Sequence, residues 1–296
     1  VTARLELRQA ALLGLVQGPA ELLPVSSSAH TTLIPLLLDW PVVELDAGLR
    51  KSFDLALHAG AGLALALDMR RELLDAAAGL SPQRLAVLAL SLAPPALAGL
   101  ALRPTIERRL GGPRSIAAGL AFGSVAMALS DRRRGRGHAV RTREQARALD
   151  GLALGLAQSL ALIPGVSRHG ATLAAARARG FADADAQELS WHAGVGVMLG
   201  ASALEGVRIA RRPARERAPA QLLTGAAAAF TSTLLSARAL RRRAPRSLTP
   251  FAIYRMALAA AVLAFTRRAA RAKADPNRRA QTARAGLLAA RAPGGR

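Results

Sequence analysis

Residues 12–30 read LLGLVQGPAELLPVSSSAH, and residues 154–172 repeat their outline as LGLAQSLALIPGVSRHGAT. Leu13-Gly14-Leu15-Val16-Gln17 stands against Leu154-Gly155-Leu156-Ala157-Gln158, and Val25-Ser26 against Val166-Ser167, without a gap and at an offset of 141 residues. A second echo sets DLALHAGAG, residues 54–62, against ELSWHAGVG, residues 188–196, at an offset of 134. A fainter third places Pro113 and Ile116 against Pro250 and Ile253. Any one echo could be chance likeness between segments rich in Ala, Leu and Gly. Several in order, at nearly constant spacing, indicate a duplicated unit.

The chain around these motifs is 296 residues long and 51% hydrophobic, with a net charge of +22. Its apolar residues come in long blocks: 85–102, 189–207, 220–240 and 251–266, with shorter ones at 54–69 and 115–130. A spanning helix needs about 20 such residues, with a lower limit near 17. Six spans is the natural count. Arginines fall between the blocks, at Arg70 and Arg71, Arg132 to Arg136, Arg211 to Arg217 and Arg241 to Arg243. Headgroup phosphates place them there. A basic nucleic-acid binder would need a polar domain to carry its charge, so no nucleic acid is expected. Because arginines crowd both sides of a six-span chain, they do not set its orientation. Cysteine is absent, which excludes disulfides and thiolate-bound metal. No cleavable signal peptide is expected, because Gln17, Pro19 and Glu21 interrupt the first apolar stretch. Residues 267–296 read as a basic, poorly ordered tail beyond a single membrane domain of residues 1–266.

Each half, about 8–130 and 151–266, therefore holds one motif segment followed by three spans. Three crossings per half is odd, so the second half enters from the opposite face. The expectation is an all-α, polytopic inverted-topology repeat. Pro19 and Pro24 in one motif, and Pro164-Gly165 in the other, break helices in apolar surroundings. Broken helices are tolerated in a membrane only when buried in protein or lining a wet cavity. Both motifs are thus expected to be re-entrant helical hairpins.

The breaks carry the chemistry. An ionised side chain at the bilayer centre costs about 2.5–3.5 kcal/mol on insertion scales, so Glu21 and Arg168 need compensation. Mutual proximity across the two halves supplies it. A bare ion pair would leave the clustered hydroxyls and imidazoles without purpose. Arg168 offers a planar fork for phosphate oxygens, and Ser167, Thr172 and the backbone near Gly165 add neutral donors. Gln17 and Glu21, one helical turn apart, present oxygens of the kind Mg2+ or Ca2+ accepts. His30 could take a proton from one of Ser26, Ser27 and Ser28, or activate a metal-bound water. The plainer reading of the serine run is a helix cap at Ser26 or Ser27 after Pro24. His58 and His192, each followed by Ala-Gly-x-Gly, read best as packing residues at a close helix contact, with Asp54 and Glu188 as partners.

At these residues a resemblance appears. LLGLVQGPAELLPVSSSAH resembles the first signature of the undecaprenyl-diphosphatase family, bacterial enzymes associated with bacitracin resistance. Its pattern is Glu or Gln, three residues, Glu, then Leu-Pro-Val-Ser-Ser and a histidine, which Gln17, Glu21, Ser26, Ser27 and His30 match. LALIPGVSRHGAT is similar to the second signature, Pro-Gly-x-Ser-Arg-Ser-x-x-Thr, through Pro164, Gly165, Ser167, Arg168 and Thr172. FDLALHAGAGLALAL, QELSWHAGVGVMLGASALE and LTPFAIYRMALAAAVLAF also resemble family segments, extending the likeness over residues 8–266. His169 departs from the second serine of the pattern, and its role stays open. Trp191, His192 and Gly196 stand where the family has aliphatics and a proline.

The resemblance implies hydrolysis of undecaprenyl diphosphate to the monophosphate and inorganic phosphate, with a divalent cation. It places the chain in the bacterial cytoplasmic membrane with its site facing outward, recycling a lipid carrier for cell-wall synthesis. Glu21, His30, Arg168 and Ser27 are the expected catalytic residues. Ser26, Ser167, Thr172 and Gly165 would bind substrate, and Glu21 with Gln17 the metal. A homodimer is left open. The competing class is a transporter or flippase of a prenyl phosphate lipid, because broken helices meeting at the midplane serve translocation equally well. A phosphatase built on Pro-Ser-Gly-His is disfavoured, since the chain lacks that element.

Overall fold

The structure is a computed structural model that describes residues 5–40, 47–134, 140–211, 218–240 and 244–274. The chain is all-helical among the described residues, apart from one isolated bridge between Arg141 and Phe181. In the first half, α1 (Leu7–Leu22) and α2 (Ser27–Leu37) form the broken pair. They are followed by α3 (Ala47–Asp68), the short α4 (Arg70–Ala78), α5 (Pro82–Arg109) and α6 (Pro113–Arg134). A single 3-10 turn at Arg143–Gln145 leads into the second half. There α7 (Ala148–Leu160) and α8 (Arg168–Ala178) form the pair, followed by α9 (Asp183–Ala210), α10 (Pro219–Leu240) and α11 (Thr249–Ala274).

Five of the six apolar blocks lie inside helices of at least 22 residues, and the sixth, 54–69, runs one residue past the end of α3. Helices α5, α9 and α11 are long and apolar enough to cross a membrane by length and composition alone. The outer surface is correspondingly greasy: Leu97 is 67% exposed, Leu223 70% and Ile253 64%. Large exposed aliphatics in such number belong in lipid, not water. This is a membrane protein. The expected tail begins later than the sequence suggests, because α11 continues through Ala274. The rest of that segment lies outside the described residues.

Helix pairing follows the echoes. Helix α1 packs on α10, and α7 packs on α5; α3 meets α9, and α6 meets α11. Exchanging the two halves leaves this set of pairs unchanged. Gly14 backs onto Gly225 of α10, and its echo Gly155 backs onto Leu90 of α5, each so closely that a Cβ would overlap backbone. Small residues are how helices approach in a medium where apolar burial drives nothing.

The prolines inside apolar helices are answered by neighbours. Pro19 supplies no N–H to Leu15 four residues back, and Ser232 of α10 donates to that carbonyl at 2.5 Å. Pro95 likewise strands the Ser91 carbonyl, and Gln158 of α7 donates to it at 2.8 Å. Such repair of freed carbonyls is what permits proline in a span. Gln158 is thus structural, whereas its echo Gln17 is left to serve another partner.

Candidate active site

The two breaks bring the motifs together. Between α1 and α2 the chain turns through Pro24, with Ser26 at a φ of 75°. Between α7 and α8 it turns through Pro164 and Gly165, whose φ of 96° suits glycine. Ser27 and Arg168 are the first residues of the helices that follow.

Glu21, 5% exposed near the end of α1, is the centre. Its Oε1 accepts from Arg168 at 2.6 Å, and its Oε2 accepts from the Ser27 hydroxyl at 2.6 Å. The Gln17 amide nitrogen lies 3.2 Å from Oε2. His58 Nε2 from α3 stands 3.6 Å from the same oxygen. The carboxylate and guanidinium that the sequence expects to compensate each other do so directly. His58 joins them, although its sequence reading favoured packing alone. Its Nδ1 bonds the Asp54 backbone carbonyl at 2.7 Å, and His192 does the same with Glu188 at 2.8 Å, so the expected partners contribute carbonyls rather than carboxylates.

Arg168 is aimed by α9. One terminal nitrogen donates to the Ser190 carbonyl at 3.4 Å, and the guanidinium lies against Gly194, where a Cβ would overlap it. Its Nε is buried with no protein acceptor. Below it, Ser190 Oγ joins His169 Nδ1 at 2.7 Å and Thr172 Oγ1 at 2.5 Å. His169 also stacks on Trp191 with ring centroids 6.0 Å apart. Thr172 and His169 are fully buried, so they brace the start of α8 from beneath.

The remaining expected residues divide. Ser167 Oγ caps α8 by accepting from the Gly170 N–H at 3.1 Å. Ser26 makes no side-chain cap bond; its hydroxyl lies 3.4 Å from that of Ser28, and its carbonyl receives His30 Nδ1 at 2.8 Å. His30 Nε2 lies 2.6 Å from the Tyr254 hydroxyl. Both imidazole nitrogens of His30 are thereby engaged away from Ser27, whose hydroxyl belongs to Glu21.

Residues 10–261 match the family described as bacitracin resistance protein BacA. The chain belongs to this family. It is 39% identical over 280 residues to an undecaprenyl-diphosphatase of Geobacter sulfurreducens, covering 88% of this chain and 98% of that protein. It is 37% identical to an undecaprenyl-diphosphatase of Thermomicrobium roseum, covering 86% and 96% respectively. A third relative, undecaprenyl-diphosphatase 2 of Rhodospirillum rubrum, is 34% identical over 86% of this chain and 93% of its own. In this BacA-family chain the matched region takes in both breaks and every residue placed at the site above.

The matched region also contains residues that sequence reasoning passed over. Arg255 of α11 is fully buried and donates to Pro24 O at 3.2 Å, Gly165 O at 2.9 Å and Leu120 O at 3.3 Å. Pro24 and Gly165 are echo equivalents at the offset of 141 residues. One guanidinium thus ties both breaks together. The available signal was an arginine alone in the apolar run FAIYRMALAAAVLAF. An intramembrane charge marks function by default. Ser190 and Tyr254 gave no such signal, since single hydroxyls in spans are unremarkable.

Proposed function

We propose that the chain hydrolyses undecaprenyl diphosphate to undecaprenyl phosphate and inorganic phosphate at the Glu21 site. The observation that carries the reading is a serine hydroxyl hydrogen-bonded to a buried carboxylate that an arginine also holds. A nucleophile and a phosphate clamp then both lie within bonding distance of one base. The names of the relatives give the substrate class.

Ser27 Oγ attacks the terminal phosphorus while its proton passes to Glu21 Oε2. The bond from that phosphorus to the bridging oxygen breaks, and the lipid monophosphate leaves. Water then attacks the phosphoserine and gives its proton to His30 Nε2, once Tyr254 yields that position. The Ser27 oxygen recovers its proton from Glu21 as it departs. Arg168 spreads over the transferring phosphoryl oxygens, with its unpaired Nε as the donor held ready. Charge stabilisation of this kind dominates phosphoryl transfer. Ser26, with its hydroxyl beside Ser28, would line the substrate path. Ser167, Thr172 and Gly165 act on substrate indirectly, by holding the start of α8.

Gln17 and Glu21 suit a divalent cation, Mg2+ or Ca2+, in part. Gln17 Oε1 is buried without a hydrogen-bond partner, an oxygen that a cation would satisfy. Among the described residues no three His, Asp or Glu side chains form a complete ion site. The protein would supply two oxygens and the diphosphate the rest. When bound, the ion neutralises charge on the diphosphate oxygens.

The bacterial origin of the relatives supports placement in the cytoplasmic membrane. There the site would face the outer side, where spent carrier lipid is released. The pairing of α1 with α10 and α7 with α5 supports an inverted repeat. The test is phosphate release by purified protein in detergent, with C55 and shorter prenyl diphosphates and with chelator. Detergent has no compartments, so release there requires bond cleavage. A protein that binds the lipid and releases no phosphate would be a transporter instead.

A further inference from the structure

We infer that the Tyr254 hydroxyl binds a phosphate oxygen of the substrate, and that its transfer there is what frees His30 to act as a base. This rests on the phosphatase reading above and adds a residue to the substrate side of the same site.

His30 Nδ1 lies 2.8 Å from the Ser26 carbonyl, which can only accept, so in the neutral ring that nitrogen carries the hydrogen. The lone pair is then on Nε2, and the Tyr254 hydroxyl, 2.6 Å away, donates to it. The two rings lie nearly parallel, 7° apart, with centroids separated by 5.9 Å. A water about to lose its proton to Nε2 must stand where that hydroxyl stands. The resting site therefore keeps its base covered. His30 follows Ser27 by three residues on the same face of α2, which brings a phosphoryl group on Ser27 up beside the covering hydroxyl. A phosphate oxygen is the better acceptor, because a hydrogen bond to an ionised group is roughly twice as strong as one between neutral groups. Arrival of the phosphate thus draws the phenol off the imidazole and leaves room for water.

Helix α11 is built for such an exchange. Arg255 is fully buried and bonded to the Pro24 and Gly165 carbonyls, so the backbone at this point is fixed to both breaks. Tyr254, the residue before it, is 45% exposed, and its ring has room to turn. The duplication isolates the pair as well. At the offset of 141 residues His30 stands against Ala171, and at the offset that sets Pro113 against Pro250, Tyr254 stands against Ala117. Imidazole and phenol are both present at one place and both replaced by alanine at the other, as befits two groups that work only together.

Tyr254 is the single tyrosine of the chain, so full-length protein made with 3-fluorotyrosine gives one 19F resonance. The probe is farnesyl methylenediphosphonate, whose carbon bridge cannot be hydrolysed, added in detergent with Mg2+. Saturating probe should shift the resonance. His30→Ala should move the resonance of the free protein and leave that of the probe-bound protein where the unaltered chain has it. Tyr254→Phe keeps the ring and loses the donor. Its KM for a prenyl diphosphate should rise about tenfold or more while kcat holds within about threefold, the pattern of binding lost equally from ground and transition states. The shift on the unaltered chain stands even if a variant fails to fold. A probe that inhibits phosphate release competitively yet leaves the resonance in place would overturn the inference and spare the proposed function. A bound resonance that still depended on His30, or a Tyr254→Phe loss confined to kcat, would do the same. Protein that neither binds the probe nor releases phosphate would sink both.

Discussion

Ser27 and Arg168 occupy the same place in the two halves of the chain, 141 residues apart, and bind opposite oxygens of one carboxylate at 2.6 Å each. Duplication supplied two helix starts, and divergence made one a nucleophile candidate and the other a cation. Leu162 stands where a second glutamate would be, so one carboxylate serves both.

Arg168→Ala removes the phosphate clamp and should lower kcat/KM by about 10³-fold or more. Arg168→Lys should recover little, because a point charge cannot reproduce a fork that spans Glu21, Ser190 and a phosphate. Phosphate release from a prenyl diphosphate measures both. Near-normal turnover in either variant would remove Arg168 from the mechanism.

Ser27→Ala tests covalent chemistry. Rapid acid quench with substrate labelled in the terminal phosphate should leave label on the wild-type chain and none on the variant. Turnover of the variant should fall at least about 10²-fold. Label absent from the wild type under single-turnover conditions would favour direct attack by water.

Arg255→Ala should destabilise the fold as well as the site. It strands the carbonyls of Pro24 and Gly165, and each unsatisfied buried group costs about 1–3 kcal/mol. Thermal unfolding in detergent should show a lowered midpoint. A variant with unchanged midpoint and activity would mean that the breaks hold without it.

The glycines separate by environment. Gly14→Ala and Gly155→Ala insert a methyl against backbone of α10 and α5, and should cost about 1–3 kcal/mol by overpacking. Gly99→Ala in α5 meets nothing within 4 Å and should be neutral or stabilising by up to about 1 kcal/mol. Thermal midpoints of the three variants would check the order.

Much of the architecture was legible in the chain. The echoes at 141 and 134 residues gave the two halves, and the apolar blocks gave the long helices. Glu21 and Arg168 declared themselves as charges that apolar surroundings could not leave alone. Other residues have partners that neighbourhood in the chain does not reveal. His30 lies three residues from Ser27, yet it bonds Tyr254, which lies 224 residues away in the chain. Thr172 matches the pattern of a ligand-binding motif, but its hydroxyl is spent on Ser190 beneath the site.

The sequence by itself determined the helices, their breaks, the duplication and the need for opposite charges to meet, because periodicity and the cost of a buried charge act locally. Only the tertiary structure decided which atoms meet: His58 with Glu21, Arg255 with both break carbonyls, Tyr254 with His30. Those contacts depend on how close helices can approach and at what rotation. Side-chain volumes from distant segments set that geometry together, and no single stretch of the chain contains it.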